Sequence, residues 1–445
     1  MKEQNLNSYR QIWRVAYPII LGLIAQNLMV VIDTAFLGQL GEVELGAGAV
    51  GGLSYLTLVM FGAGFTVGLQ IIIGRRNGEK NFRMIGRVLD HGLYIILGLA
   101  ILLFLFFSWA APPLLLQITS SEPIYEKTLV FLEYRKFGYF FGFLVMGFQA
   151  FYIGTIRTAV VSIATIIMAL TNVILDYGLI FGNLGLPEMG IAGAALATNL
   201  AEFATFSFYL LYTLSRGFQK KYNLLRFYKP RSRLYRKIFA VAAPVMLQYF
   251  IAFSAWFAFF MIIEKIGETA LAASNITRSI YMLFMIPGWG LGSATSTLVS
   301  NTIGRGQIGQ VMPLLRKILV ISFLSNLLVV QAIIFFPDKI VSLFTDIPHL
   351  AETTQEIVFV LIFSLMAFSV SFIIFSALSG TGKTSTALKI EIITILIYLS
   401  TAFALASKPA TTAQVIWFLE ILYFGFLGLF SFLYLKYGNW KKLEL

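Results

Sequence analysis

The sequence predicts an all-α integral membrane protein with twelve transmembrane helices, arranged as two six-helix bundles related by a pseudo-two-fold axis along the membrane normal. Three observations predict this fold class. Of the 445 residues, 58% are hydrophobic and only 12% are charged, which is far from the composition of a soluble globular domain. The chain also contains a series of apolar segments of helix length, and its two halves repeat one another.

A transmembrane helix needs about 20 mainly apolar residues, and twelve segments meet this requirement. They cover residues 13–38, 45–73, 89–113, 129–154, 159–182, 190–214, 238–264, 271–301, 316–337, 352–379, 386–406 and 412–436. Runs such as 101–107 are apolar on every face, so the spans are predicted to be helices. The first span follows a polar start and is too long for the apolar core of a signal peptide, so no cleavage is expected.

The distribution of positive charge predicts the orientation. With twelve spans, both termini lie on one side, and that side holds all but seven of the 33 Lys and Arg residues. The exceptions are Lys127, Arg135, Lys136, Lys265, Arg278, Lys339 and Lys408. Because basic residues accumulate in cytoplasmic loops, both termini are predicted to be cytoplasmic, in a bacterial-type inner (plasma) membrane. The densest basic run, within 216–237, is predicted to contact anionic membrane lipids and not nucleic acid.

The two halves align at a constant offset of 226 residues without a gap, as shown by Pro18 and Pro244. The matches fall on Gly, Pro, Glu and loop Thr residues, which a random apolar sequence would seldom arrange. The repeat predicts an N-terminal bundle (1–225, with a cytoplasmic linker at about 215–237) and a C-terminal bundle (226–445). Transporters built from parallel repeats bind substrate between the bundles and expose it alternately to the two sides.

Two carboxylates lie within predicted spans at about the same depth. Asp33 is near the outer end of span one, and Asp176 is near the outer end of span five. A carboxylate in hydrocarbon costs roughly 2.5–3.5 kcal/mol. If the two helices are neighbours in the first bundle, the pair is predicted to share a proton or hold a monovalent cation. Asn172 lies one turn before Asp176 on the same face, and Gln26 lies two turns before Asp33. The alternative for each acid is an interfacial position near a helix end.

Other polar residues are weaker candidates. Glu264 lies at the end of span seven and is predicted to be interfacial, while Glu391 lies about one turn into span eleven, where it can snorkel or pair with a lysine. His91 and His349 are far apart in the sequence and cysteine is absent, so neither a metal site nor a cofactor is predicted. The spans contain no nucleophile with a partner base, which argues against an intramembrane enzyme.

Two stretches resemble a known family. Residues 31–41 (VIDTAFLGQLG) resemble the first-helix signature of multidrug and toxic compound extrusion (MATE) transporters of the prokaryotic type. Residues 171–182 (TNVILDYGLIFG) and 190–198 (GIAGAALAT) resemble the fifth and sixth helices of the same family. The twelve spans, the twin bundles and the basic central loop extend the resemblance over essentially the whole chain.

The resemblance implies secondary active efflux of amphipathic, often cationic organic compounds in exchange for H⁺ or Na⁺. We separately expect the protein to be a monomer. The resemblance also implies a coupling site in the N-terminal bundle made of Asp33, Asn172 and Asp176, joined by Thr198 from span six. The residues implied to line the substrate cavity are Gln26, Tyr134 and Gln149.

The sequence departs from the sodium-driven branch of the family, which carries acids in spans seven and ten. Here the span-seven position falls near Ala252, and span ten ends without an acid. Coupling through the C-terminal bundle is therefore not expected. The rival function is a lipid-linked oligosaccharide flippase of related two-lobe architecture. Its cavity would need several cations for the pyrophosphate, whereas Arg278 is the main basic residue deep in the spans.

Overall fold

The structure is a computed structural model that describes residues 7–408 and 411–441, and every regular element in this part is helical. The first nine helices are α1 (Tyr9–Leu40), α2 (Glu42–Gly78), α3 (Phe82–Leu105), α4 (Ala111–Ile118), α5 (Glu122–Arg135), α6 (Gly138–Gly154), α7 (Thr158–Phe181), α8 (Ile191–Ser215) and α9 (Phe218–Tyr222). The others are α10 (Ser232–Glu264), α11 (Glu268–Gly304), α12 (Val311–Phe335), α13 (Pro337–Ser342), α14 (Pro348–Gly380), α15 (Thr384–Ala406), α16 (Ala413–Trp417) and α17 (Leu419–Tyr437). A π-helical turn (Phe106–Ala110) joins α3 to α4, and a 3₁₀ turn (Ile308–Gln310) precedes α12.

The twelve predicted spans are confirmed as helices. Within the described residues, eleven helical segments are long and apolar enough to cross a membrane, and the number is twelve if the bent pair α5–α6 counts as one span. The third span begins at Phe82 rather than near residue 89, because the helix starts in a polar turn before the apolar window. The side chain of Asn81 caps this start by accepting a hydrogen bond from the Met84 amide at 3.2 Å.

The 52° bend between α5 and α6 comes from a tightened backbone and not from a proline. The Phe137 amide donates to the Tyr134 carbonyl at 3.3 Å, and the Tyr139 amide donates to the Lys136 carbonyl at 3.4 Å. These are three-residue steps in place of the four-residue steps of an α-helix. Arg135, which the sequence analysis counted as an outer-side basic residue, is the last residue of α5 and is only 8% exposed.

The described chain divides into two compact units, namely residues 21–246, and residues 7–20 together with 247–408 and 411–441. Helices α1 and α10 therefore each begin in one unit and continue in the other. The units differ from the sequence halves 1–225 and 226–445 in two segments. Residues 7–20 belong to the unit that holds most of the second half, and residues 226–246 belong to the unit that holds most of the first half. Pro18 and Pro244 lie inside the two helices, each two residues before the change of unit. A proline inside a helix removes a backbone hydrogen bond and favours a kink there.

Each unit contains the same close approach of two helices. In the unit 21–246, a Cβ atom added to Gly64 of α2 would lie 2.6 Å from the Cα atom of Met246. In the other unit, a Cβ atom added to Gly290 of α11 would lie 2.5 Å from Cγ1 of Ile20. Both pairs of positions are related by the 226-residue offset. The repeated glycines thus allow α2 and α11 to pack against the first parts of α10 and α1.

The basic loop between α9 and α10 is fixed to α3 by two neighbouring side chains. Both carboxylate oxygens of Asp90 accept hydrogen bonds, from the amides of Leu225 and Arg226 at 3.0 Å each. Nε2 of His91 accepts a hydrogen bond from the Arg231 amide at 3.2 Å. The loop has positive φ angles at three alternating positions, Asn223, Leu225 and Phe227. Such alternation turns successive amides toward one point and forms an anion-binding nest, which here holds the Asp90 carboxylate.

Candidate functional site

Helix α1 runs beside α7 in the same direction. In the first half of both helices, a Cβ atom added to Gly22 would lie 3.3 Å from Oγ1 of Thr165. Near their ends, the rings of Phe36 and Phe181 meet edge to face with centroids 5.6 Å apart. Two adjacent parallel helices keep residues of equal depth next to each other along their whole length. Asp33 of α1 and Asp176 of α7 therefore lie side by side.

The structure brings together the carboxyl groups of Asp33 on α1 and Asp176 on α7, which are close enough to interact. The side chain of Asn172, one turn earlier on α7, also interacts with Asp176. Asn172 is fully buried and Asp176 is 1% exposed, whereas Asp33 is half-buried. These acids therefore lie inside the unit 21–246 and not at an exposed helix end.

Thr198 of α8 joins the same cluster. Nδ2 of Asn172 donates a hydrogen bond to Oγ1 of Thr198 at 3.4 Å, and this hydroxyl donates to the carbonyl of Ala194 at 3.0 Å. Four predicted coupling residues from three helices thus meet in one place. Their role in ion coupling stays a prediction.

Several oxygen atoms of this cluster are buried without a regular hydrogen bond in the described part of the chain. They are Oδ1 of Asp33, Oδ1 of Asn172 and both carboxylate oxygens of Asp176. A buried charged or polar oxygen without a partner is costly, and a proton or a small cation relieves this cost. The cluster can therefore bind H⁺ or a monovalent cation. No group of three or more His, Cys, Asp or Glu residues in the described ranges is arranged to hold a metal ion.

The three predicted cavity residues lie in different surroundings. Gln26 is exposed on α1. Tyr134 lines a groove of about 320 Å³ together with Asn199 and several apolar residues. Gln149 interacts with Tyr209, which is eleven residues further along α8 than Thr198, or roughly 16 Å at 1.5 Å per residue. The structure does not bring Gln149 to the acid cluster, and the role of all three residues in binding substrate stays a prediction.

Sequence reasoning missed a buried ion pair in the same unit. Nη2 of Arg135 lies 2.6 Å from Oε1 of Glu202, and Nη1 lies 3.1 Å from Oε2, so the pair is bidentate. Their side chains are only 10% and 12% exposed. Glu202 follows Thr198 by one turn of α8, and Arg135 is near enough to Asp33 to attract its carboxylate. The overlooked signal was a lone glutamate within the sixth apolar segment.

Aromatic and amide groups complete the surroundings of Arg135. The guanidinium lies 4.0 Å from the ring centroid of Tyr55, which stacks on Tyr139 with centroids 4.2 Å apart. Nη1 of Arg135 also donates to Oδ1 of Asn199 at 2.7 Å, and Nδ2 of Asn199 donates to the carbonyl of Tyr134 at 2.6 Å. This network joins the α5–α6 bend to α2 and α8 directly beside the acid cluster.

The family model described as MatE matches this chain twice, over residues 18–178 and again over 244–404. The chain belongs to the MATE family of transporters. The two matches begin and end 226 residues apart, so they confirm the internal repeat. A MATE protein is a transporter and not an enzyme.

Similar proteins cover from about three quarters of this chain to nearly all of it. A probable multidrug resistance protein NorM of Thermotoga maritima is 25% identical over 99% of this chain and 95% of its own length. A probable multidrug resistance protein NorM of Agrobacterium fabrum is 26% identical over 77% of this chain and 73% of its own length. The fold is similar to a solved outward-facing multidrug resistance MATE family transporter of the MOP superfamily, with a TM-score of 0.90, 20% identity, and coverage of 97% and 96% of the two chains.

Proposed function

We propose that this MATE transporter is a secondary active multidrug efflux antiporter. It exports amphipathic, often cationic organic compounds by alternating access, in exchange for H⁺ or Na⁺ that binds at Asp33, Asn172, Asp176 and Thr198. The observation that carries the proposal is the pair of adjacent acids inside the unit 21–246, with buried oxygens that lack regular hydrogen bonds. The names of the relatives, which describe multidrug resistance, support drug-like substrates.

The proposed exchange follows from the charge of the site. Two adjacent carboxylates repel one another when both are ionised, and binding of a cation removes this repulsion. An organic cation and the coupling ion are both attracted to the same negative charge, so they compete. Each ligand then favours the conformation to which it binds more tightly, which is the condition for exchange.

The distribution of Lys and Arg residues and the bacterial relatives support the membrane context that we propose. The transporter lies in a bacterial-type plasma membrane with both termini in the cytoplasm, and it works as a monomer. Export then uses the inward gradient of H⁺ or Na⁺ across that membrane.

A flippase for lipid-linked oligosaccharides is less well supported. Such a substrate carries a pyrophosphate and needs unpaired cationic side chains. In the unit 21–246, Arg135 is neutralised by Glu202 through a bidentate ion pair. In the other unit, Arg278 lies over the ring of Phe260 at 5.1 Å, and one arginine is a weak site for a doubly charged group.

The test uses Asp33→Asn and Asp176→Asn with an exposed aspartate as the matched control, Asp346→Asn. Purified protein is reconstituted in liposomes, and drug flux is measured with proton and sodium gradients imposed separately. We expect both acid variants to lose gradient-driven flux and drug resistance in cells, while the control retains them. Full activity in both acid variants would exclude the proposed mechanism, and the gradient that drives the unmodified protein identifies the coupling ion.

A further inference from the structure

We call the unit made of residues 7–20, 247–408 and 411–441 the C-terminal unit. It has different residue types at the positions equivalent to the acid cluster. By the 226-residue offset, Phe259 is the sequence equivalent of Asp33, and Tyr398 is the sequence equivalent of Asn172. The rings of Phe259 and Tyr398 stack with centroids 5.6 Å apart, and Phe259 meets Trp417 edge to face at 5.4 Å. An aromatic cluster thus replaces the first acid and the asparagine.

A buried carboxyl group nevertheless lies within this cluster, supplied by a helix that the offset does not point to. Glu420, in the first turn of α17, is 3% exposed. Its Oε1 accepts a hydrogen bond of 2.7 Å from the hydroxyl of Tyr398 on α15. Tyr281 of α11 is fully buried and also interacts with this carboxyl group, and its hydroxyl has no regular hydrogen bond in the described residues.

Among the residues that the structure describes, the surroundings of Glu420 contain hydroxyl groups and no counter-ion. The titratable side chains that face it are Tyr281 of α11, Tyr398 of α15 and Tyr423 of α17 itself. Glu391 of α15 is near enough to Tyr423 to interact with it electrostatically. The other helices packed around Glu420 contribute aromatic rings, such as Trp417 of α16. No described Lys or Arg forms an ion pair with Glu420.

This arrangement suits a proton better than a larger cation. The carboxylate and two tyrosine hydroxyls offer four oxygens, fewer than the six or so that hard cations take. Phe259 and Tyr398 stack on one another, and Trp417 and Tyr423 pack against these two rings, so the aromatic cluster leaves little ring surface for an organic ammonium group. A carboxyl group between two hydroxyl groups can be hydrogen-bonded both when it is ionised and when it is protonated. Each hydroxyl can donate a hydrogen bond to the carboxylate or accept one from the carboxylic acid.

We propose that Glu420, with Tyr398 and Tyr281, forms a second proton-binding site in the C-terminal unit, separate from Asp33 and Asp176. No acid site in this bundle was predicted from the sequence. As a site for transported protons it rests on the antiport proposed above. As a proton-binding site it is independent of that proposal, and the experiment measures proton binding itself.

The test is pH-difference infrared spectroscopy of the purified protein in lipid, which detects the C=O stretch of protonated carboxyl groups. We expect Glu420→Gln to remove one band that titrates in the unmodified protein, whereas Glu352→Gln, at an exposed position of α14, keeps it. Tyr398→Phe retains the carboxyl group, so the band should persist with a changed frequency and a changed midpoint. The Tyr398→Phe variant also tests the site if Glu420→Gln does not fold.

An unchanged spectrum in Glu420→Gln, or in Tyr398→Phe, would overturn the site. The result is distinguishable from a failure of the antiport proposal. If Asp33→Asn and Asp176→Asn transport normally while the Glu420 band is lost as expected, the second proton site stands and the coupling mechanism at the first site falls. If the acid variants are inactive and the Glu420 band never titrates, the reverse holds.

Discussion

Removal of one charge from the Arg135–Glu202 pair should be among the most destabilising single changes in the unit 21–246. Glu202→Gln leaves the guanidinium of Arg135 buried without a counter-ion in direct contact, although the new amide oxygen can still accept one hydrogen bond. Breaking a buried pair costs about 3–5 kcal/mol, and the retained acceptor places the expected cost near the lower end, at about 3 kcal/mol. That is roughly a hundredfold in the unfolding equilibrium.

A matched control is available in the same unit. Arg76 and Glu79 form an ion pair with the same 2.6 Å separation, but it links residues three positions apart at the end of α2, and Glu79 is 31% exposed. Exposed pairs contribute at most about 1 kcal/mol. Glu79→Gln should therefore have a small effect, and the difference between the two variants isolates the effect of burial.

The measurement is equilibrium unfolding of the purified protein in mixed micelles, followed by fluorescence of its six tryptophans. The cycle is completed by Arg135→Met and by the double variant Arg135→Met with Glu202→Gln. The double variant leaves no unpaired charge, so it should be less destabilised than the sum of the two single variants by about 2 kcal/mol. Two results would refute the reasoning: a loss in Glu202→Gln no larger than in Glu79→Gln, or a double variant that is simply additive.

Two further predictions follow from close contacts in the same unit. A Cβ atom at Gly68 would lie 2.4 Å from the Cα atom of Ala242, so Gly68→Ala should cost about 1–3 kcal/mol in thermal unfolding; Gly52→Ala, with no atom within 4 Å of the added Cβ, should be neutral or stabilising by up to about 1 kcal/mol. Asp90→Ala removes the acceptor for two loop amides, and the lost hydrogen bonds should cost about 1–3 kcal/mol of stability for each amide left buried. The released loop should be cleaved faster by trypsin at Arg226. An unchanged digestion rate would contradict the anchoring role of Asp90.

The spans could be predicted because one physical constraint dominates them. Backbone groups in hydrocarbon must be hydrogen-bonded within the segment, so an apolar run of sufficient length becomes a helix whatever its neighbours are. The meeting of Asp33 and Asp176 was also within reach, since both lie near the ends of spans with the same direction. Equal depth brings two residues together only if their helices are adjacent, and the sequence could state that adjacency only as a condition.

The Arg135–Glu202 pair was not predictable by the same reasoning. It depends on a bend that no proline or glycine pair marks in the sequence, because three-residue hydrogen bonds at Phe137 and Tyr139 turn the chain. Hydropathy averages over such a bend, so Arg135 was assigned to one side of the membrane as an isolated cation. Glu420 was missed for a different reason, since it lies near the start of the last span, where an acid is ordinarily interfacial.

The repeat separates the residues that support the fold from those that carry chemistry. Gly64 and Gly290 occupy equivalent positions and allow equivalent close packing, which both units need. Asp33 and Asp176 have no acidic counterparts at the equivalent positions, which are Phe259 and Ala402, and Glu420 comes from a helix outside the matched segments. Packing is a requirement of every copy of a repeated fold, whereas a charge in hydrocarbon is retained only where it is used. Unequal acids on an equal backbone therefore support the proposal that the two units bind ions differently.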